Sequence, residues 1–147
     1  KGLHDLAVRF SRCCNPVPGD EIVGFVTRGR GVSIHRTDCI NVINLPEDER
    51  GRLIDAEWQV AENPTSTEQY STEIQIFANN RIGLFADISK VFTEKQIDIT
   101  SMNVRTSKQG RATIIMTFDI HGTEELNRIT DKIRQIDGVL DIQRTTG

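Results

Sequence analysis

No apolar run in this chain approaches the roughly 20 residues that a helix needs to cross a bilayer, and no signal-peptide core stands near its start. The sequence therefore predicts a cytoplasmic protein with no membrane partner. Surplus charge of one sign is also missing: 18 Lys and Arg stand against 21 Asp and Glu, a formal net charge of −3. Catalytic signatures are absent too. There is no G-x-x-x-x-G-K-[ST], no H-E-x-x-H and no nucleophile elbow, and the histidines His4, His35 and His121 have no evident nucleophile beside them. No enzyme activity is expected within these residues. Cysteine is scarce, and the three present, Cys13, Cys14 and Cys39, make an odd count without secretory features. That argues against a disulfide framework and toward free thiols or metal ligation.

What is there is 147 residues, 37% hydrophobic and 27% charged, which suits one or two small domains. The chain opens at Lys1 without an initiating Met and has no low-complexity tail, which is the expectation for a segment of a longer protein. Charge is uneven. Residues 1–45 carry six Lys/Arg against four Asp/Glu, residues 46–62 two against six, and residues 63–147 ten against eleven. The polar run at 62–69, with Pro64 inside it, reads as a linker. It separates a first domain at 1–62 from a second at 73–147, with the linker placed at 63–72.

In the first block, Ile22-Val23-Gly24-Phe25-Val26-Thr27 and Val32-Ser33-Ile34-His35-Arg36 flank Arg28-Gly29-Arg30-Gly31, a hairpin with glycines where the turn needs positive φ. A short helix over 38–45, with Asp38 near its start, is stopped by Pro46. A strand over 53–60 would then alternate Ile54, Ala56, Trp58 and Val60 on one face. Sixty residues bury little surface, so a metal clip or a packing partner would help.

The second block is more regular. A strand over 73–78 leads through Asn79-Asn80-Arg81-Ile82-Gly83 into a helix with Leu84, Ile88, Val91 and Phe92 at i, i+4, i+7 and i+8. A strand over 97–106, a turn at 107–110 and a strand over 111–121 follow. The last of these sets Ala112, Ile114, Met116, Phe118 and Ile120 on one face. A second helix begins at Gly122-Thr123 with Glu124 and Glu125 in its first turn, carries Leu126, Ile129, Ile133 and Ile136 inward, and ends at Gly138 before a strand over 139–144. The order β-α-β-β-α-β is the ferredoxin-like arrangement, so the expected class is α+β: a small hairpin-and-helix domain followed by a four-stranded antiparallel sheet carrying two helices.

Three groups of residues carry potential chemistry. Cys13, Cys14, His35 and Cys39 form a soft donor set suited to tetrahedral zinc, which can stabilise a small domain outright. Adjacent side chains such as Cys13 and Cys14 diverge, however, and a knuckle usually spaces its cysteines by two to four residues. The competing readings are buried small hydrophobes with a hydrogen-bonded histidine, and a redox switch. Arg28 and Arg30 at the hairpin tip, with Arg9, Arg12 and Arg36 nearby, form a guanidinium cluster able to grip phosphates and unpaired bases. The alternative is an ordinary solvated hairpin, since no aromatic residue accompanies the arginines. At the third group, Asn80-Arg81-Ile82-Gly83-Leu84, free N–H groups at a helix start attract a carboxylate and Gly83 permits close approach. Asp98 would hold an ammonium group, and a plain strand-to-helix turn is the other reading.

The stretch from Arg12-Cys13-Cys14-Asn15-Pro16-Val17-Pro18-Gly19-Asp20 through Thr37-Asp38-Cys39 closely resembles the C-terminal regulatory region of the long RelA/SpoT (Rel) enzymes, which make and degrade (p)ppGpp in the bacterial stringent response. In that family it forms a zinc-finger-like domain, also called the RIS or conserved-cysteine domain, and the four candidate ligands fall on the family's Cys-Cys, His and Cys positions. The second block resembles the family's ACT domain. Asn80-Arg81-Ile82-Gly83-Leu84 is similar to the loop pattern N-R-x-G-L, with Ile82 where many ACT domains have proline. The resemblance implies docking on ribosomal RNA and uncharged tRNA, valine or isoleucine as an allosteric ligand near that loop, side-by-side pairing into a homodimer, and regulation of catalytic domains upstream in the same chain.

Overall fold

The computed structural model describes residues 7–29, 31–58 and 68–145. Arg30 of the hairpin tip, Gln59 and Val60 of the expected strand and residues 63–67 of the expected linker lie outside them. No helix among the described residues is long and apolar enough to cross a membrane.

In the first domain, β2 (Ile22–Val26) and β3 (Val32–Arg36) form the expected antiparallel hairpin, with Val26 opposite Val32 and Ile22 opposite Arg36. Gly29 and Gly31 take φ of 86° and 83°, the left-handed backbone that the turn demands. A strand that the sequence pattern hides, β1 (Val8–Phe10), lies parallel to β3, and β4 (Leu53–Asp55) pairs with β2, giving the sheet order β1-β3-β2-β4. The expected helix is a single turn, α1 (Ile40–Ile43), followed by a 3-10 helix at Glu47–Arg52. Asp38 does not cap α1, because its carboxylate takes a bidentate grip from Arg36 at 2.9 and 2.7 Å. The expected strand over 53–60 stops at Asp55. Trp58 is drawn instead against Phe10, with ring centroids 5.4 Å apart, and its indole N–H donates to the Asp20 carbonyl at 3.0 Å.

The second domain follows the expected order: β5 (Tyr70–Asn79), α2 (Leu84–Glu94), β6 (Ile99–Thr106), β7 (Arg111–Ile120), α3 (Thr123–Arg134) and β8 (Val139–Arg144). Its antiparallel sheet has the order β6-β7-β5-β8. β5 begins at Tyr70, so residues 70–72 belong to the sheet and not to a linker. Their polar sequence conceals this, although Thr72 is fully buried and the Tyr70 ring packs edge-on against Phe10 and Trp58. β6 starts two residues later than expected because Gln96 turns left-handed (φ 57°) and the Ile97 N–H is spent on the Phe92 carbonyl at the end of α2.

The alternating face of β5 and β7 and the inward stripes of α2 and α3 close one core containing Ile74, Ile76, Phe92, Ile114, Phe118 and Ile133. Phe92 and Phe118 meet edge-to-face at 4.8 Å, a geometry favoured by the ring quadrupoles. One member of this core comes from outside the domain. Val17, on the loop between β1 and β2, is fully buried within it.

Candidate metal centre

The four sulfur and nitrogen donors meet. The ligand atoms of Cys13, Cys14, His35 and Cys39 all lie within 4.8 Å of one another. Each arrives by a different local device. Residues 11–15 form one helical turn, closed by the Asn15 N–H on the Ser11 carbonyl at 3.0 Å. On such a turn neighbouring side chains diverge by only about a quarter of a circle, which lets adjacent cysteines rim one centre. His35 comes from the end of β3, and Cys39 precedes α1, its N–H held by the Arg36 carbonyl.

The inner distances are short. Cys13 Sγ lies 3.3 Å from Cys39 Sγ and 3.4 Å from His35 Nδ1, and Cys14 Sγ is 4.0 Å from the same nitrogen. The other ring nitrogen, Nε2, is 3.0 Å from the hydroxyl of buried Ser33. If Nε2 carries the proton and donates to that hydroxyl, Nδ1 is left with its lone pair facing the thiols. This is the usual way a ligating imidazole is oriented. Burial also holds the His35 pKa below its ordinary value, favouring the neutral ring. Burial pushes the Cys14 thiol up, and burial followed by the hydrogen bond with Cys13 pushes the Cys39 thiol up. At Cys13 burial acts in the same direction, but hydrogen bonds from Ser11 and Asn41 outweigh it and bring the thiol down.

Three sulfurs and one nitrogen, with Cys14 and Cys39 almost fully buried, match the closed donor set of a structural zinc site. Cys13, Cys14, His35 and Cys39 would hold the ion, which would cross-link the start, the hairpin and the helix of a domain with little core of its own.

The arginines separate. Arg9, Arg12 and Arg28 are exposed along the β1 side and hairpin end of the first sheet, and Arg28 makes only a loose pair with Glu49 at 3.6 Å. Arg36 does not belong with them. It is 5% exposed, and its guanidinium is consumed by Asp38, the Cys14 carbonyl and the Thr145 carbonyl. Aromatic company is present after all: Phe10, between Arg9 and Arg12 in sequence, is 45% exposed and stacks on Trp58. The two residues stand 48 positions apart in the chain, so no local pattern could reveal the pair.

The loop at 80–84 is ordered by its own residues. Gly83 precedes α2 at φ 84°. Arg81 donates from Nε to the Asp137 carbonyl and from Nη2 to Asp87, both at 2.8 Å. Ile82 is fully exposed and Leu84 fully buried, while the Asn80 N–H is held by the Gly110 carbonyl. Asp98 does not join this loop. Asn79 faces Arg111, whereas Ile99 faces Phe118, and seven residues of β7 put the two ends about 24 Å apart. Within one chain they cannot share a small ligand. A cavity of about 480 Å³ lies elsewhere, between the turn at Pro18-Gly19 and the start of α3.

Comparison with known proteins matches residues 1–59 to the RelA/SpoT RIS domain and residues 66–144 to the ACT domain. The GTP pyrophosphokinase of Streptomyces coelicolor is 39% identical over 146 residues, 99% of this chain and 17% of that protein. The GTP pyrophosphokinase of Escherichia coli K12 is 36% identical over 148 residues, 100% of this chain and 19% of that one. The bifunctional (p)ppGpp synthase/hydrolase RelA of Mycobacterium tuberculosis is 36% identical over 145 residues, 99% and 19% respectively. The chain thus spans under one-fifth of the length of these relatives. Among solved structures, the ACT domain from the GTP pyrophosphokinase of Chlorobium tepidum superposes with a TM-score of 0.48 at 22% identity, covering 52% of this chain and 99% of that one.

Proposed function

Because this chain belongs to the ACT-domain family and carries the RIS and ACT regulatory domains of RelA/SpoT-type GTP pyrophosphokinases, we propose that it is a non-catalytic regulatory module that docks on ribosomal RNA and uncharged tRNA and reports that state to catalytic domains upstream in the same chain. The supporting observation is in the first domain. The donor cluster of Cys13, Cys14, His35 and Cys39 belongs to a small sheet domain whose β1 side and hairpin end present Arg9, Arg12 and Arg28 to solvent, with the half-exposed Phe10 on the same edge strand. Guanidinium groups reach phosphates, and an aromatic face offers a platform for an unpaired base. Zinc held by Cys13, Cys14, His35 and Cys39 would supply the cross-link that keeps this surface in one shape. Docking can switch a catalytic domain only through different affinities for its two states, with a coupling of about 1–3 kcal/mol.

The test is ribosome association at several salt concentrations for the chain and for a variant with Arg9, Arg12 and Arg28 all changed to Ala. Weaker association with a flatter salt dependence is expected, by roughly one unit of log–log slope for each phosphate that is no longer neutralised. An unchanged slope removes these residues from the RNA interface.

A second reading makes the ACT domain a sensor of valine or isoleucine, or a homodimerisation module acting without RNA. It is favoured by the outer edge of β6, which pairs with β7 alone among the described residues and where Met102 and Val104 are each 38% exposed. Sedimentation across concentrations, with and without either amino acid, separates the two readings. A strict monomer that also shows no calorimetric heat of binding with either amino acid excludes the second.

A further inference from the structure

The loop that begins with two of the metal ligands ends inside the other domain. Cys14 starts it, and its Sγ accepts the Arg36 N–H at 3.3 Å. Its carbonyl accepts from Arg36 Nη1 at 3.1 Å, and the same nitrogen donates to the Thr145 carbonyl, just past β8, at 3.1 Å. One residue on, the Asn15 carbonyl accepts from Arg144 Nη2 at 3.1 Å. Arg144 also grips Asp20 with both terminal nitrogens, at 2.6 and 3.0 Å, and Asp20 in turn accepts the Val17 N–H at 2.8 Å.

Between these polar anchors the loop is pressed onto the second domain. Val17 is fully buried in that domain's core, and the Pro18 carbonyl accepts the Thr123 N–H at 2.8 Å. Gly19, at φ 103°, lies so close to the Thr123 hydroxyl that a Cβ there would overlap it. Such an approach admits only glycine. The backbone carrying Cys13 and Cys14 is therefore held at Cys14, Asn15, Val17, Pro18 and Asp20, in most of these places by residues of the ACT domain.

We propose that the ACT domain positions the Cys13-Cys14 ligand pair through Arg144 and the Thr145 carbonyl, so that metal affinity in the RIS domain depends on docking of the two domains, and metal binding in turn tightens the docking. The inference rests on the metal reading given above. A ligand pair on an unsupported loop must be ordered when the ion binds, whereas a pair already held by outer hydrogen bonds is not. Loss of such outer supports typically costs 10–100-fold in metal affinity. Reciprocity follows from linkage: if docking raises zinc affinity, zinc raises docking by the same factor.

The test uses the whole chain. Zinc affinity is measured by competition with a chromophoric chelator for the unaltered protein, for Arg144→Gln and, as a control, for Arg134→Gln, whose side chain pairs only loosely with Asp131 on exposed α3. Arg144→Gln is expected to weaken zinc binding at least about tenfold, and Arg134→Gln to leave it unchanged. A folded Arg144→Gln protein with unaltered affinity overturns the proposal. Should Arg144→Gln not fold, hydrogen exchange on the unaltered protein decides. Zinc must slow exchange of the Thr123 and Val17 amides, which lie outside the metal site, and equal rates with and without zinc overturn the coupling. If the unaltered protein binds no zinc, the metal reading fails first and this proposal with it, a result distinct from binding without coupling.

Discussion

The two domains solve the problem of a small core in opposite ways. The second buries the alternating faces of β5 and β7 and the stripes of α2 and α3 in one continuous apolar cluster, and its elements are the ones that sequence periodicity predicts. The first has a buried cluster of only Cys14, Cys39 and Val42 among its described residues, two of them candidate ligands. Its hairpin forms in the expected register, but nothing apolar of comparable size lies beneath it. The difference implies that burial of apolar surface holds the ACT fold. The RIS fold buries little beyond its own small cluster, Val32 and Ile34, so its donor cluster and what it borrows, namely the Arg144–Asp20 pair and the seat of Val17, are expected to carry a larger share there.

Metal removal should break this comparison most visibly. A structural zinc can contribute about 10 kcal/mol or more to a small domain. Chelation of the zinc-loaded chain is therefore expected to erase amide protection in β2 and β3 while leaving β5 and β7 protected, as read by residue-resolved hydrogen exchange. If β2 and β3 keep their protection, the donor cluster is only a set of buried small side chains.

A pH series should give the next largest effect. The Cys14 and Cys39 thiols are raised by burial, so in the metal-free protein they stay protonated through neutral pH. Their contribution to the stability of that form is complete below the ordinary thiol value of about 9 and is lost as pH rises through their folded values. Zinc must displace these two protons, so its affinity should rise with pH by about a hundredfold per unit through neutral pH, and more steeply where the Cys13 thiol is protonated as well. His35, held neutral by burial, should add nothing above its ordinary range. A pH-independent affinity would mean that the thiols are not ligands.

Much of the second domain is legible because its burial is periodic: each inward residue of β7, from Ala112 to Ile120, sits two places from the next. The donor set is legible by residue type. Its closure is less so, since the turn at residues 11–15 that lets neighbouring cysteines converge has no separate sequence signal. Arg36 shows the opposite failure. Its charge suggests a phosphate ligand, but Asp38 two residues on and two carbonyls from opposite ends of the chain claim the guanidinium. The aromatic group of Phe10, Trp58 and Tyr70 could not be read from local pattern, because tertiary packing alone assembles it. Residue chemistry alone pairs Asp98 with the loop at 80–84, and strand register overrules that pairing.

The finest test of the comparison is a pair of matched valines. Val17 belongs by sequence to the RIS domain but is fully buried in the ACT core, whereas Val42 is 8% exposed in the RIS cluster itself. Changing either to Ala removes the same two methyl groups, worth about 2 kcal/mol when the cavity does not collapse. Val42→Ala should lower the stability of the first domain and leave β5 through β8 unaffected. Val17→Ala should lower the stability of the second domain, read as a shift in denaturant midpoint of the Phe118 and Ile114 amide signals, even though the altered residue lies far before β5 in the chain. The flanking Pro16 and Pro18 restrict the chain on both sides of the site, which leaves little freedom to slide another side chain into the vacancy. If Val17→Ala instead weakens only the hairpin, the ACT core does not need Val17 and the dependence runs one way, with the first domain leaning on its neighbour. If both substitutions weaken both domains equally, the two fold as one cooperative unit, and the contrast between an apolar core and a metal-clipped one describes composition but not stability.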